Sequence, residues 1–381
     1  MKICAIICEY NPFHNGHLYQ MQEAKRLSGA DALLCVMSGN FVQRGEAAIM
    51  DKFTRAKHAV LAGADAVVEL PTVFATSNAE LFAKGAIALL SSIPHVTTLC
   101  FGAETADKDA FIKAANLLNN EPKEISDTIK ELSSTGVSYA KARALAWDKL
   151  LPACLLTSPN NILGIEYTRA ILSANANIDI LPLPRIGGGY SDKNLQKNYS
   201  SATAIRAAIC EGKDCSENLP EFSAKDLPSK LENTLETLKK YALLFTPLQE
   251  LLSVCDCSEG LENALKKAAQ NEESLVDALT SARYTSSRIR RIALQNLLNI
   301  REPLIRNSLH SPLYLRILGV KKARKDVLSA LSEASIPLIA RPRDESALSG
   351  IAKDCYVVDT FAEKVYGLLY STQKEIDIFI E

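Results

Sequence analysis

The sequence predicts an α/β fold: a Rossmann-like parallel sheet over residues 1–216, followed over 217–381 by a mainly helical region with a small α/β end. Three observations predict it. Short, mainly apolar runs recur at 3–8, 32–37, 66–70 and 97–101, as strands buried on both faces require. Between them lie stretches with apolar residues at helical spacing, for example Leu18, Met21, Ala24 and Leu27. Beyond Glu217 the chain turns polar and proline-containing over 218–228, which reads as a linker, and helical patterns then dominate through about Leu331.

Each element has its own signal. The strand at 3–8 runs through the loop Glu9-Tyr10-Asn11-Pro12-Phe13-His14-Asn15-Gly16-His17 into the first helix. The strand at 32–37 ends in Ser38-Gly39-Asn40-Phe41-Val42-Gln43-Arg44-Gly45, and a helix over 51–64 follows, with Phe53, Ala56, Val60 and Leu61 on one face. Pro71 stops the strand at 66–70, a helix covers 78–91, and Gly102 ends the strand at 97–101. The pattern over 107–147 is helical, a strand returns at 178–182, and Leu183-Pro184-Arg185-Ile186-Gly187-Gly188-Gly189-Tyr190 is a glycine-rich turn without dinucleotide spacing. The closing unit has strand patterns at 336–340 and 355–358 and a last helix. Right-handed βαβ connections place all the strand-to-helix loops at one end of the sheet, where ligands bind in such folds.

Composition narrows the class. With 47% hydrophobic and 23% charged residues and no apolar run of membrane length, the chain reads as globular and not membrane-spanning. The N-terminus enters a strand directly, and the ten cysteines form no CxxC pair, so a cytosolic protein with reduced thiols and no metal site is expected. Cys255-Asp256-Cys257 is too close and isolated to hold zinc. The net charge of −1 conceals an asymmetry: residues 283–343 carry 13 Lys and Arg against Glu302, Asp326 and Glu333. Such a bias points to a polyanion, RNA or DNA first.

Two of only five histidines fall at His14 and His17, where the first strand becomes the first helix. Free backbone N–H groups and the positive helix end favour a phosphate there, and two imidazoles add donors for charge developing on it. Ser200-Ser201-Ala202-Thr203-Ala204-Ile205-Arg206 opens another helix, with hydroxyls at its start and Arg206 one turn in, suited to a phosphate tail. Arg44, Lys52 and Arg55 are further cations able to neutralise phosphates or hold a carboxylate. Asn160 or Asn161 reads as the N-cap of a helix after Pro159.

The His14–His17 element resembles the HIGH signature of the nucleotidyltransferase and class I aminoacyl-tRNA synthetase superfamily, and 200–206 resembles the SSTxIR element of cytidylyltransferase-like members, with Ala202 in place of a serine. The strings 9–17, 38–45, Pro159-Asn160-Asn161-Ile162-Leu163-Gly164, Arg185-Ile186-Gly187 and Tyr284-Thr285-Ser286-Ser287-Arg288-Ile289-Arg290-Arg291 together resemble the bacterial tRNA(Met) cytidine acetate ligase family over nearly the whole chain. The resemblance implies N4-acetylation of the wobble cytidine of elongator tRNA(Met) from acetate and ATP, through acetyl-adenylate, with release of pyrophosphate and AMP. It implies Mg²⁺ accompanying the triphosphate. His14 and His17 would be catalytic, and ATP would be held by Ile7, Cys8, Glu9, Tyr10, Asn11, Pro12, Phe13, His14, Asn15, Gly16, His17, Leu18, Tyr19, Gln20, Gly102, Asn160, Arg185 and Ile186. Ser201, Thr203 and Arg206 would clamp the phosphates, and Arg288, Arg290, Arg291, Lys321 and Lys322 would grip the tRNA. Tyr10, Phe13 or Phe41 would line a small acetate slot. The competing expectation is an adenylyltransferase acting on a small metabolite.

Overall fold

Strand positions that are apolar without alternation feed two cores at once. In the computed structural model, strand β1 (Ile3–Cys8) turns Ile3 and Ala5 to one face and Cys4 and Ile6 to the other, each fully buried. Strands β2 (Ala32–Ser38), β5 (Ala66–Leu70), β6 (Val96–Ala103) and β7 (Asp179–Pro184) lie parallel to it in the order β5-β2-β1-β6-β7. Helices α1 (Asn15–Ser28) and α2 (Lys52–Leu61) cover one face through Met21, Ala24, Ala56, Ala59 and Val60. Helices α3 (Ala79–Ser91), α4 (Lys108–Asn119) and α5 (Pro159–Ser173) cover the other. The structure describes all residues except 137–141, 143–144, 148–149, 152, 187–194, 229–233, 312 and 371–376. The glycines of the 183–190 turn therefore lie outside the described residues.

The later half is mainly helical, with α6 (Ala202–Cys210), α7 (Thr234–Phe245), α8 (Ser286–Leu297) and α9 (Gly350–Gly367) its principal pieces here. It also completes the sheet. Strand β8 (Leu315–Lys321), within the stretch expected to be helical, pairs antiparallel with β5 and is flanked by β9 (Leu338–Ile339) and β10 (Phe379–Ile380). A small two-stranded ribbon, β3 (Phe41–Val42) and β4 (Glu46–Ala47), stands over the end of β2. The expected strand at 355–358 is instead part of α9, which buries Ala352, Cys355, Tyr356, Asp359, Ala362 and Tyr366 at helical spacing.

Strand order reverses between β1 and β6: β2 and β5 extend the sheet one way, β7 the other. The helices leave on opposite faces there, so a crevice opens at the carboxyl ends of β1 and β6. Beside it, the ends of β2 and β5 are closed by charge. Lys52 Nζ lies 2.6 Å from Glu69 and 2.5 Å from Glu363, and Arg316 lies 2.7 Å from Glu363. The fully buried Arg55 donates to the carbonyls of Met50, Glu9, Ser38 and Gly39. Lys52 and Arg55, expected as contacts to phosphate or a carboxylate, are thus spent on the protein itself. Both stand in the first turn of α2, where burial compels pairing.

Candidate active site

A cavity of about 180 Å³ occupies the β1/β6 crevice. Three helices begin at it: His14 caps α1, Asn160 lies in the first turn of α5, and Ser201 caps α6 by accepting from Ala204 N at 3.1 Å. Each terminus carries a partial positive charge. Arg44, Arg185 and Arg206 line the same space, against the carboxylates Glu9 and Glu46. The arrangement suits a polyanion with several phosphates.

The two histidines cap their own helix. His14 Nδ1 accepts from Gly16 N at 3.1 Å, and His17 Nδ1 accepts from His14 N at 3.3 Å. An Nδ1 that accepts a backbone N–H carries no proton, so each neutral ring bears its hydrogen on Nε2. The rings stack at 3.6 Å, and Tyr10 and Phe13 hold the His17 ring at 4.8 and 5.6 Å. Burial first, then Arg185 and Arg206, push His14 down to about 3; burial first, then His14 and Arg185, put His17 well below its ordinary value. At neutral pH both are therefore fixed, uncharged Nε2–H donors. A Cβ on Gly16 would come within 3.0 Å of His14 Cε1, so a glycine preserves that geometry.

The remaining lining explains itself locally. Asn11 Oδ1 accepts from Ile49 N at 2.9 Å, while its buried Nδ2 finds no partner among the described residues, leaving a donor at the cleft wall. Arg206 donates to Asn11 O at 2.7 Å and sits 3.8 Å from Glu46, which also pairs with Arg290 at 3.2 Å. Glu9 Oε1 accepts from Gln43 N at 2.8 Å, tying the ribbon to the end of β1. Ser158, not Asn160 or Asn161, is the N-cap of α5, with Pro159 at N1. Asn160 Nδ2 donates to Glu104 at 2.7 Å, and Asn161 Oδ1 accepts from Glu104 N and Thr105 N, locking α5 to the end of β6. A Cβ at Gly102 would make only an ordinary 3.6 Å contact with Arg185 Cγ, so the missing side chain leaves cleft space rather than relieving a clash.

Of the residues expected at the nucleotide, the structure brings Ile7, Cys8, Glu9, Tyr10, Asn11, His14, His17, Gln20, Gly102, Asn160, Arg185, Ser201, Thr203 and Arg206 to this cavity. Gly16, Tyr19 and Ile186 line an adjoining one of about 50 Å³. Pro12, Phe13, Asn15 and Leu18 line neither. Phe13 is in the core, and Asn15 ties the loop to the carbonyls of Asn198 and Glu217. Of the residues expected around acetate, Tyr10 lines the cavity, whereas Phe13 and Phe41 are buried elsewhere, Phe41 against Tyr366. Leu163 and Tyr167 were missed, although with Asn160 they fall on one face of α5. Gln43 and Glu46, also on the wall, stand in a ribbon too short to give a periodic signal.

The basic segment divides. Arg288 donates to Asp256 O and lies 3.1 Å from Glu259; Arg290 and Arg291 face Glu46 and Asp256. These three sit on α8 beside the ribbon: a Cβ on Gly45 would fall 2.5 Å from the Arg290–Arg291 peptide. Lys321 ends β8 and Lys322 follows it; the strand runs antiparallel, so they lie at the opposite end of the sheet, about 20 Å away for strands of this length. Among the described residues no group of three His, Cys, Asp or Glu could hold a metal ion, and no helix is long and apolar enough to cross a membrane.

A crevice at the strand-order reversal, walled by an HxGH-capped helix and a second capped helix with Arg206, defines a HIGH-type nucleotidyltransferase, and the HIGH nucleotidyl transferase family model matches residues 1–378. Relatives over the full length narrow this. The tRNA(Met) cytidine acetate ligase of Thermoanaerobacter sp. (strain X514) is 38% identical, covering 97% of this chain and 96% of its own. That of Acetivibrio thermocellus is 37% identical, covering 93% and 90%. The apo crystal structure (form I) of Thermotoga maritima TmcAL superposes with a TM-score of 0.89 at 30% identity, covering 98% of this chain and 96% of that one. The form bound with alpha-thio ATP gives 0.87 at 31%, covering 98% and 95%. The chain belongs to the tRNA(Met) cytidine acetate ligase family.

Proposed function

We propose that this protein joins acetate to N4 of the wobble cytidine of elongator tRNA(Met) at the expense of ATP. The observation that carries the proposal is the paired Nε2–H donors of His14 and His17 at a polyanion cleft in a chain of this family. An acetate oxygen attacks the α-phosphorus, the bond to the bridging oxygen breaks, and pyrophosphate leaves. The cytidine N4 then attacks the acetyl carbonyl and AMP leaves.

His14 and His17 donate to the non-bridging oxygens as charge builds on the α-phosphate. Ser201, Thr203 and Arg206, at the start of α6, hold the tail that becomes pyrophosphate. Arg185, Asn160 and the open backbone at Gly102 receive the rest of the nucleotide. Magnesium bound with the triphosphate would neutralise part of the phosphate charge. Arg288, Arg290 and Arg291 take tRNA phosphates beside the cleft, and Lys321 and Lys322 meet a more distant stretch of the same backbone. By this account residues 1–216 carry the adenylation groups and 217–381 the main tRNA surface.

The test is incubation with ATP, Mg²⁺, labelled acetate and elongator tRNA(Met), followed by nucleoside analysis by mass spectrometry. Labelled N4-acetylcytidine is expected. AMP and pyrophosphate formed only with some other carboxylate or nucleophile would favour the small-metabolite adenylyltransferase.

A further inference from the structure

Acyl transfer to an exocyclic amine requires a base, because the N4 lone pair is delocalised into the cytosine ring and the amine must lose a proton as it attacks. The cleft contains few groups able to accept one. Each histidine has Nδ1 occupied by a backbone N–H and hydrogen on Nε2, so neither is a proton acceptor in its neutral form. Cys8 and Tyr10 are held as thiol and phenol by burial, Tyr10 with its hydroxyl 3.5 Å from Cys35 Sγ. Glu46 faces two arginines, 3.2 Å from Arg290 and 3.8 Å from Arg206, and serves as their counter-ion.

Glu9 remains. It stands at the carboxyl end of β1, one residue beyond the strand and five before His14, and lines the cavity. Oε1 is fixed by Gln43 N, which sets the carboxylate's orientation, and Oε2 takes no hydrogen bond among the described residues. We propose that Glu9 is the base of the second step, removing the N4 proton as the cytidine attacks acetyl-adenylate. The N4–C bond forms, the C–O bond to the phosphate breaks, the proton passes to Glu9 Oε2, and AMP leaves with the electron pair of that bond. Burial raises the carboxyl of Glu9 while Arg206 on α6, Arg55 on α2 and Arg44 on the ribbon lower it, and burial prevails. Raised basicity makes a carboxylate the better proton acceptor.

The inference rests on the ligase reading, so its test bypasses the first step. Synthetic acetyl-adenylate and elongator tRNA(Met) are mixed with excess enzyme, and N4-acetylcytidine is followed in a single turnover across pH 5–9. Glu9→Gln keeps an oxygen for Gln43 N but cannot accept a proton. It is expected to slow transfer at least about 100-fold and to abolish the acid limb of the rate profile. Acetylation of hydroxylamine, which needs no base, should fall less than about tenfold in the same variant. In Glu9→Ala, azide should restore part of the transfer as a replacement base, which a merely structural role does not explain. Transfer by Glu9→Gln at the wild-type rate, or an unchanged acid limb, overturns the assignment. So does an equal loss toward tRNA and hydroxylamine without rescue. If wild-type enzyme itself leaves the tRNA unacetylated, the ligase reading fails and Glu9 with it.

Discussion

Two neighbouring ends of one sheet handle charge in opposite ways. At the ends of β1 and β6, three helix starts, three arginines and two neutral histidines face open space. At the ends of β2 and β5, Lys52, Glu69, Glu363 and Arg316 turn inward on one another, and Arg55 is consumed by carbonyls. The difference follows from topology. Where strand order reverses, helices diverge and leave a crevice; where it continues, the β3–β4 ribbon and α9 close over the sheet end and every charge must find a protein partner. A cation near a loop is thus a ligand group or a strut according to its strand, not its residue type.

The comparison can be broken at its closed side first. Lys52→Met leaves Glu69 and Glu363 facing each other without their ammonium and should cost about 3–5 kcal/mol of stability, read by denaturant unfolding. A loss below about 1 kcal/mol would mean that the cluster is not a strut. Next, Arg290→Ala with Arg291→Ala should raise the tRNA concentration required at least about tenfold and flatten the salt dependence of binding by about two phosphate contacts. Lys321→Ala with Lys322→Ala should do less, and a larger effect there would move the main tRNA surface to the far end of the sheet. Stability should also carry a pH slope. His14 folds with its proton affinity depressed to about 3 against about 6.5 unfolded. The unfolded chain therefore binds the proton first, and this contribution is complete above about pH 6.5 and lost as pH falls toward 3. His14→Gln should reduce the decline in stability over that window, and an unchanged slope would place the ring in water.

The parallel core was legible because burial on both faces leaves mainly apolar runs, and 66–70 and 3–8 match β5 and β1 residue for residue. The histidine loop was legible because HxGH at a strand-to-helix junction is rare in a chain with five histidines. What failed did so for identifiable reasons. Strand β8 is isolated among helices, and its central Gly319, where a Cβ would lie 2.9 Å from Ile380 Cδ1, weakens any strand signal. Tyr356-Val357-Val358 has strand-favouring side chains, but the stripe from Ala352 to Tyr366 buries it as helix, tertiary packing overriding local preference. The surplus of 283–343 overstated the free positive charge, since acidic partners such as Glu46, Glu69 and Asp256 lie far away in sequence.

The claim that matters most is that the open end performs acetate adenylation with fixed Nε2–H donors. Its most direct test is exchange of labelled pyrophosphate into ATP, with and without acetate, in the absence of tRNA. Wild-type protein should exchange only when acetate is present, and His14→Ala and His17→Ala should each lower the rate about 10²–10³-fold while keeping the wild-type fold by circular dichroism. Exchange that ignores acetate, or that survives loss of either histidine, would contradict the account.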